Sequence, residues 1–290
     1  MSLLLPCFLQ LTIAQDINQT YTNETGKEHL IGLCNRQALE QDSFQVWFQP
    51  QYEAYQPNET LIQKAKENLE GISIDIFMAT WCGDSRKEVP RFYKILDEIG
   101  LGESSIRLIN VYRNAPRYKQ SPTHEEVGKL LHRVPTFIVY RDGEEIGRIV
   151  EFPVSSLEMD LAQILLGLPT DPSYKSVAVV DERLALVDTL TDRKALFAIA
   201  KDVYKFAGND RALNTYGYVL MSRDEVDKAI AVFTINTMLF SKMPNVYDSL
   251  AEAYERNEDY EKALNMYKVL VALDPENERG LAKIEELEGK

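Results

Sequence analysis

The stretch Ile72-Ser73-Ile74-Asp75-Ile76-Phe77-Met78-Ala79-Thr80-Trp81-Cys82-Gly83-Asp84-Ser85 decides the fold of this chain. Its first eight residues are rich in β-branched and apolar types and read as a strand, while from Arg86 to Ile99 the apolar residues recur at helical spacing. The strand therefore delivers Cys82 to the first turn of a helix. Backbone N–H groups and the helix dipole favour an anion at that end, so a cysteine placed there is set up as a thiolate, the form that attacks a disulfide or binds a soft metal. Arg86, Lys87 and Arg91 add positive field just beyond, Asp84 opposes it, and Trp81 supplies a flat apolar wall beside the sulfur.

Outward from this stretch, Ser104 to Tyr112 predicts a second strand. Thr136 to Tyr140 and Glu145 to Val150 flank Arg141-Asp142-Gly143-Glu144, whose Asp-Gly pair predicts a hairpin turn. A helix from Ser155 to Leu166 follows, and Gly167-Leu168-Pro169-Thr170-Asp171-Pro172 reads as a linker. Upstream, Leu61 to Leu69 predicts a helix with caps offered by Asn58 to Thr60. Phe44, Trp47, Phe48, Tyr52 and Tyr55 fall mostly at three- and four-residue spacings, which puts several rings on one helical face. Such a stripe either seals a helix against the neighbouring domain or forms a ligand platform, and packing is the favoured reading.

Trp81-Cys82-Gly83-Asp84-Ser85, with Pro90 eight residues after the cysteine and Ile95-Leu96-Asp97-Glu98-Ile99 beyond it, resembles the active-site segment of thioredoxins. Val134-Pro135-Thr136-Phe137, ahead of the Asp142-Gly143 hairpin, resembles the second half of that family, where a cis-proline faces the reactive sulfur. The likeness spans residues 71 to 168, about a third of the chain. It implies an α/β thioredoxin fold in which Cys82 is the nucleophile and Ser85 stabilises the thiolate or the leaving sulfur. Pro135 and the backbone of Val134 would align the substrate chain, with Trp81 in apolar contact.

Two departures from the family bear on the chemistry. Where a second cysteine is usual the chain has Ser85, which can hydrogen-bond a thiolate but cannot attack a mixed disulfide. The family's buried acid, six residues before the cysteine, is replaced by Ile76, and neighbouring Asp75 points to the other face of the strand. Resolution of a mixed disulfide would then fall to glutathione or another small thiol, to a partner protein, or to Cys34, whose plainer reading is an ordinary buried thiol. No metal and no cofactor are expected, because His29, His124 and His132 show no ligand spacing with one another or with Cys82.

A self-comparison at a shift of 34 residues aligns Ala195, Ala229 and Ala263, then Ile199, Phe233 and Tyr267, then Leu186, Leu220 and Tyr254. That period resembles tetratricopeptide repeats, two-helix units in which small residues allow close crossing and large ones fill the groove. The last copy, from Tyr247 to Pro275, matches best. The middle copy displaces its closing proline to Pro244, and the first, near 176 to 209, is degenerate at Glu182-Arg183. Asn277 to Leu287 would cap the array. Stacked repeats leave a concave face that binds a peptide or protein partner, or else they support the adjacent domain.

Composition narrows the function classes. With 32 Lys and Arg against 45 Asp and Glu the net charge is −13, so nucleic acid and anionic lipid are repelled. A hydrophobic fraction of 45% with 14 Gly and 12 Pro supports a folded core, and no apolar run is long enough to span a bilayer. Three cysteines cannot staple a scaffold. Leu3 to Ala14 is apolar and ends in small residues as a secretory signal does, and polar Gln15 to Glu28 reads as the start of a mature chain. The expectation is a signal peptide over 1–14, which would remove Cys7, and a periplasmic or extracellular protein. Because the first Lys or Arg is Lys27, a cytoplasmic protein without a signal is the alternative. The Asn-x-Thr triplets at Asn18, Asn23 and Asn58 matter only in a eukaryotic secretory pathway.

The organisation expected is thus a signal at 1–14, an N-terminal helical extension at 15–70 and an α/β thioredoxin-like domain at 71–168. A linker at 169–175 and all-α repeats with a capping helix at 176–290 complete it. Two functions fit. One is monothiol thiol–disulfide exchange by an oxidoreductase or isomerase-like protein at Cys82, acting on a disulfide-containing protein or a small thiol, with the repeats recruiting a partner. The other is a non-catalytic interaction protein that keeps the fold as a docking surface.

Overall fold

The computed structural model describes residues 16–289. The segment expected to be a signal peptide therefore lies outside the described residues. A six-stranded mixed sheet comes first, built from β1 (Gln19–Thr22), β2 (Glu28–Cys34), β3 (Ile72–Met78), β4 (Ile106–Asn110), β5 (Thr136–Arg141) and β6 (Glu144–Val150). The strand order is β1-β2-β4-β3-β5-β6, with β3 and β4 parallel and every other neighbouring pair antiparallel. The Asp-Gly hairpin forms where the sequence put it: Asp142 and Gly143 take φ of 52° and 87°, the left-handed pair that a tight turn between twisted strands requires.

The N-terminal segment corrects one expectation. Residues 15–70 are not helical throughout, because β1 and β2 occupy their first third. Glu28-His29-Leu30-Ile31-Gly32-Leu33-Cys34 carries apolar residues on both sides of a strand, and Leu33 and Cys34 pair with Ile109 and Leu108. This pairing closes the edge that β4 would otherwise expose. The helices that follow are α1 (Arg36–Leu39), α2 (Asp42–Ala54) and α3 (Glu59–Lys66), the last capped by the Asn58 side chain on Leu61 N–H.

Alternation along β3 feeds two cores. Ile74, Ile76 and Met78 face α4 (Gly83–Ile99) and α5 (Leu157–Leu165), together with α2 and α3, in a core that includes Phe44, Phe48, Phe92 and Leu161. The aromatic stripe is thereby explained as packing. Phe44 and Phe48 are buried, while Tyr52 and Tyr93 flank the Arg36 guanidinium at 5.0 and 5.2 Å. On the opposite face Phe77, Ile109 and Ile138 pack under Val111, Leu131 and Val134. These last three belong to a segment, 111–135, that contains neither helix nor strand.

Beyond the sheet, the chain is helical: α6 (Lys175–Leu184), α7 (Arg193–Val203), α8 (Arg211–Ser222), α9 (Val226–Leu239), α10 (Pro244–Arg256), α11 (Tyr260–Leu273) and α12 (Glu278–Glu288). The 34-residue register marks buried positions: Ala229, Ala263, Phe233 and Tyr267 are wholly enclosed. The first copy diverges, with Leu186 left 72% exposed. Segment 111–135 is held between the sheet and these helices. Gln120 Nε2 donates to Ser222 O at 2.6 Å, Ser222 Oγ to Tyr118 O at 3.1 Å, and Arg133 Nη2 to Arg211 O at 3.1 Å. Among the described residues, no helix is long and apolar enough to cross a membrane.

Gly217 sets how closely α8 and α9 cross. A methyl group there would lie 2.4 Å from the Phe233 ring. Alanine is the better helix former by up to about 1 kcal/mol, but enclosed Phe233 has no room to retreat, and overpacking costs about 1–3 kcal/mol. Gly217→Ala is therefore expected to lower the thermal midpoint, and adding Phe233→Leu should recover part of the loss. Thermal unfolding followed by circular dichroism checks both.

Candidate functional site: the Cys82 thiol

Cys82 is the residue from which α4 starts, in extended conformation with φ −89° and ψ 127°. It is partly exposed and a free thiol. Its Sγ donates to the Val134 carbonyl at 3.2 Å, and the Val134–Pro135 peptide is cis. Residues 52 apart in sequence thus meet at the point where β3 ends and β5 is about to begin. Trp81, next to Cys82 in the chain, is held to segment 111–135, its Nε1 donating to Val111 O at 3.0 Å.

Ser85 is wholly buried, and its Oγ accepts from Ala79 N–H at 3.2 Å. The hydroxyl ties the helix start to the end of β3 instead of contacting the Cys82 sulfur. The nearby cations are also committed elsewhere. Arg86 Nε donates to Thr80 O at 2.6 Å, Lys87 pairs with Glu88 at 2.7 Å, and Arg91 donates to Gln51 at 3.0 Å. Asp75 lies on the Phe77 face of β3, as expected from alternation, and is buried against Lys129 at 2.8 Å. Cys34 ends β2 on the other face of the sheet, in the core with Ile76 and Leu108, where burial pushes its thiol up to about 11. The structure does not bring it to Cys82.

Segment 111–135 contributes what sequence reading missed. Lys119 is only 4% exposed, and its Nζ donates to His132 O at 2.6 Å. Arg133 pairs with Glu151 at 3.3 Å, and the Tyr174 hydroxyl donates to the same carboxylate. These residues lie tens of positions from Cys82 in irregular chain, where no periodicity or motif announces them. Among the described residues no group of His, Cys, Asp and Glu is arranged to hold a metal ion. A cleft of about 840 Å³ opens between residues 113–118 and the facing sides of α8, α10 and α12, lined among others by Tyr118, Tyr218, Met221 and Arg279.

Comparison with models of known protein families returned no match for this chain, nor did comparison with curated proteins.

His132 sits where the two halves meet, edge-on to the Tyr174 and Tyr216 rings, with Nδ1 at 3.1 Å from Leu130 O and Nε2 without a partner. Burial, with Lys119, Arg133 and Arg148 nearby, pushes its pKa down to about 3, so the folded protein holds it neutral. A folded value below the unfolded one of about 6.5 means that the unfolded chain takes up the proton first, so stability falls as pH drops through that window. Between about pH 7 and 5 this group alone should remove on the order of 2 kcal/mol. His132→Asn keeps a donor for Leu130 without the titration, and urea unfolding at both pH values should show a shallower loss than in the parent.

Proposed function

We propose that this chain is a thioredoxin-like protein performing monothiol thiol–disulfide exchange through Cys82, with its tetratricopeptide-like helices holding a protein partner in the adjoining cleft. The observation that carries the reading is the meeting of Cys82 Sγ, at the start of α4, with the carbonyl before cis Pro135. A sulfur at a helix start is favoured as thiolate, and its partial exposure leaves it open to a disulfide. In the exchange the Cys82 thiolate attacks one substrate sulfur, the substrate S–S bond breaks, and the other sulfur departs as a thiolate. Ser85 has no sulfur to finish the cycle, so a low-molecular-weight thiol attacks the mixed disulfide and releases Cys82. The backbone of Val134 and Pro135 would align the substrate chain, and Trp81 would give it an apolar wall. A periplasmic or extracellular location, where disulfides persist, suits this chemistry.

A second reading, a non-catalytic docking protein, draws support from Ser85, whose hydroxyl serves the backbone of Ala79. The two readings part on the sulfur. With oxidised glutathione, the exchange reading expects a glutathione adduct on Cys82, found by mass spectrometry, released by reduced glutathione and absent in Cys82→Ser. Failure to form that adduct in folded protein would remove the exchange reading and leave the docking one.

Ser85→Cys would place a second thiol three residues along the helix, the spacing of dithiol sites. It is expected to form a disulfide with Cys82 on oxidation and to raise insulin-disulfide reduction clearly above the parent. An engineered disulfide that forms without any gain in reduction would show that the surface does not admit disulfide substrates.

A further inference from the structure

Lys119 is a buried lysine with no carboxylate partner among the described residues. There its Nζ has a single hydrogen-bond acceptor, His132 O at 2.6 Å, and it lies 5.1 Å from the centre of the Tyr118 ring. Burying an ammonium is costly unless an anion answers it. The backbone adds to the anomaly, because Lys119 takes a left-handed φ of 57°, a conformation that glycine or asparagine would hold more easily. A residue kept in so unfavourable a place has to be explained by what its charge faces.

The carbonyl that Lys119 holds and the carbonyl that Cys82 holds are those of His132 and Val134, two residues apart on one strap of chain. The Lys119 amine and the Cys82 sulfur therefore converge on the same short stretch, one from within segment 111–135 and the other from the start of α4, and the sulfur's charge favours the protonated lysine. The remaining neighbours do not neutralise the lysine. Arg133 is itself a cation, Glu151 is already held by Arg133 and the Tyr174 hydroxyl, and His132 is neutral. From the helical side, Arg223 reaches Leu131 O and adds no negative charge.

We propose that Lys119 is the positioning residue for the Cys82 thiolate, its ammonium being the counter-charge that makes the sulfur a nucleophile and a leaving group. This rests on the exchange reading for its purpose, though its electrostatics can be measured without any substrate. Burial and the neighbouring Arg133 charge, opposed by Glu151 and Cys82, bring Lys119 down to about 7, so the amine is ready to take a proton near neutral pH. The resting pair then converts by transfer of one proton from the thiol to the amine, giving thiolate and ammonium together. When a small thiolate attacks the partner sulfur of the mixed disulfide, a new S–S bond forms and the bond to Cys82 breaks. Cys82 departs with the electron pair beside the ammonium, and no net oxidation occurs. The buried acid that this chain lacks at Ile76 is thus answered by a base from segment 111–135.

The test is iodoacetamide alkylation of Cys82 in the full chain, followed by peptide mass spectrometry between about pH 6 and 9, a range that spans the change from thiol to thiolate. Lys119→Met keeps the length and removes the charge, and it should slow alkylation at pH 7 by about tenfold and move the profile to higher pH. Lys119→Arg should restore most of the rate. An unchanged rate and profile in a folded Lys119→Met protein overturns the proposal. Should that variant fail to fold, the reciprocal measurement decides. In Cys82→Ser the Lys119 side chain, followed by NMR, should titrate about one unit lower than in the parent, and an unmoved midpoint overturns the proposal. The exchange reading is judged separately by the glutathione adduct, so a missing adduct with a clear Lys119 effect would fault the substrate and not the counter-charge.

Discussion

A strand in the middle of a sheet has to bury both faces, and β3 imposes that demand on everything around it. Ile74, Ile76 and Met78 are covered by α2, α3, α4 and α5, which bring ample apolar surface. Phe77 and Ala79 face the other way, where the chain supplies only irregular segment 111–135. Irregular backbone can be buried only if its N–H and C=O groups find partners. Here many are met internally, by Tyr112 with Lys119 and Gln120, by Ser121 with Glu126, and by Lys119 with His132. Others are met from outside, at the end of α8, by Ser222 Oγ on Tyr118 O and by Arg223 on Leu131 O. The helical region is therefore more than an appended module. Its α8 end completes the hydrogen bonding of the layer that covers the sheet.

This arrangement places the thiol at a three-way junction. Cys82 comes from the end of β3, the carbonyl it holds comes from the strap before β5, and that strap is anchored to the helices through Arg133 and Leu131. The same strap thus carries both the bonds to the helical region and the Val134 carbonyl that accepts from the sulfur. The cleft lined by Tyr118, Tyr218 and Met221 lies on the same segment, one residue from Lys119.

Much of this architecture was legible because it depends on local periodicity. The strand from Ile72, the helix after Cys82, the Asp142-Gly143 turn and the Ala229/Phe233 register all repeat at spacings that betray which side is buried. Cys82 and Val134, which lie in two separated motifs of the sequence, meet through the bond from Sγ to the Val134 carbonyl. What was not legible depends on pairing between distant segments. The short strand at Gln19–Thr22 has mostly exposed residues and exists only because β2 lies beside it. Lys119 shows in the sequence as one more surface cation, and only the path of segment 111–135 buries it. Ser85, three residues after Cys82, likewise gives no sign in the sequence that its hydroxyl accepts from Ala79 N–H.

The charge of the whole chain and the charge at the sulfur point in opposite directions, and distance decides which governs. A net −13 would oppose a thiolate if it acted uniformly. Exposed carboxylates more than about 8–10 Å away are screened by physiological salt, so most of that acidity never reaches Cys82. A buried cation acts through a medium that screens it far less, and a single charge at close range outweighs many on the surface. The nearest candidates on α4 are spent, Arg86 on a backbone carbonyl and Lys87 on Glu88. What remains near the sulfur is the start of α4 and the cations of segment 111–135, and the proposed exchange would depend on them.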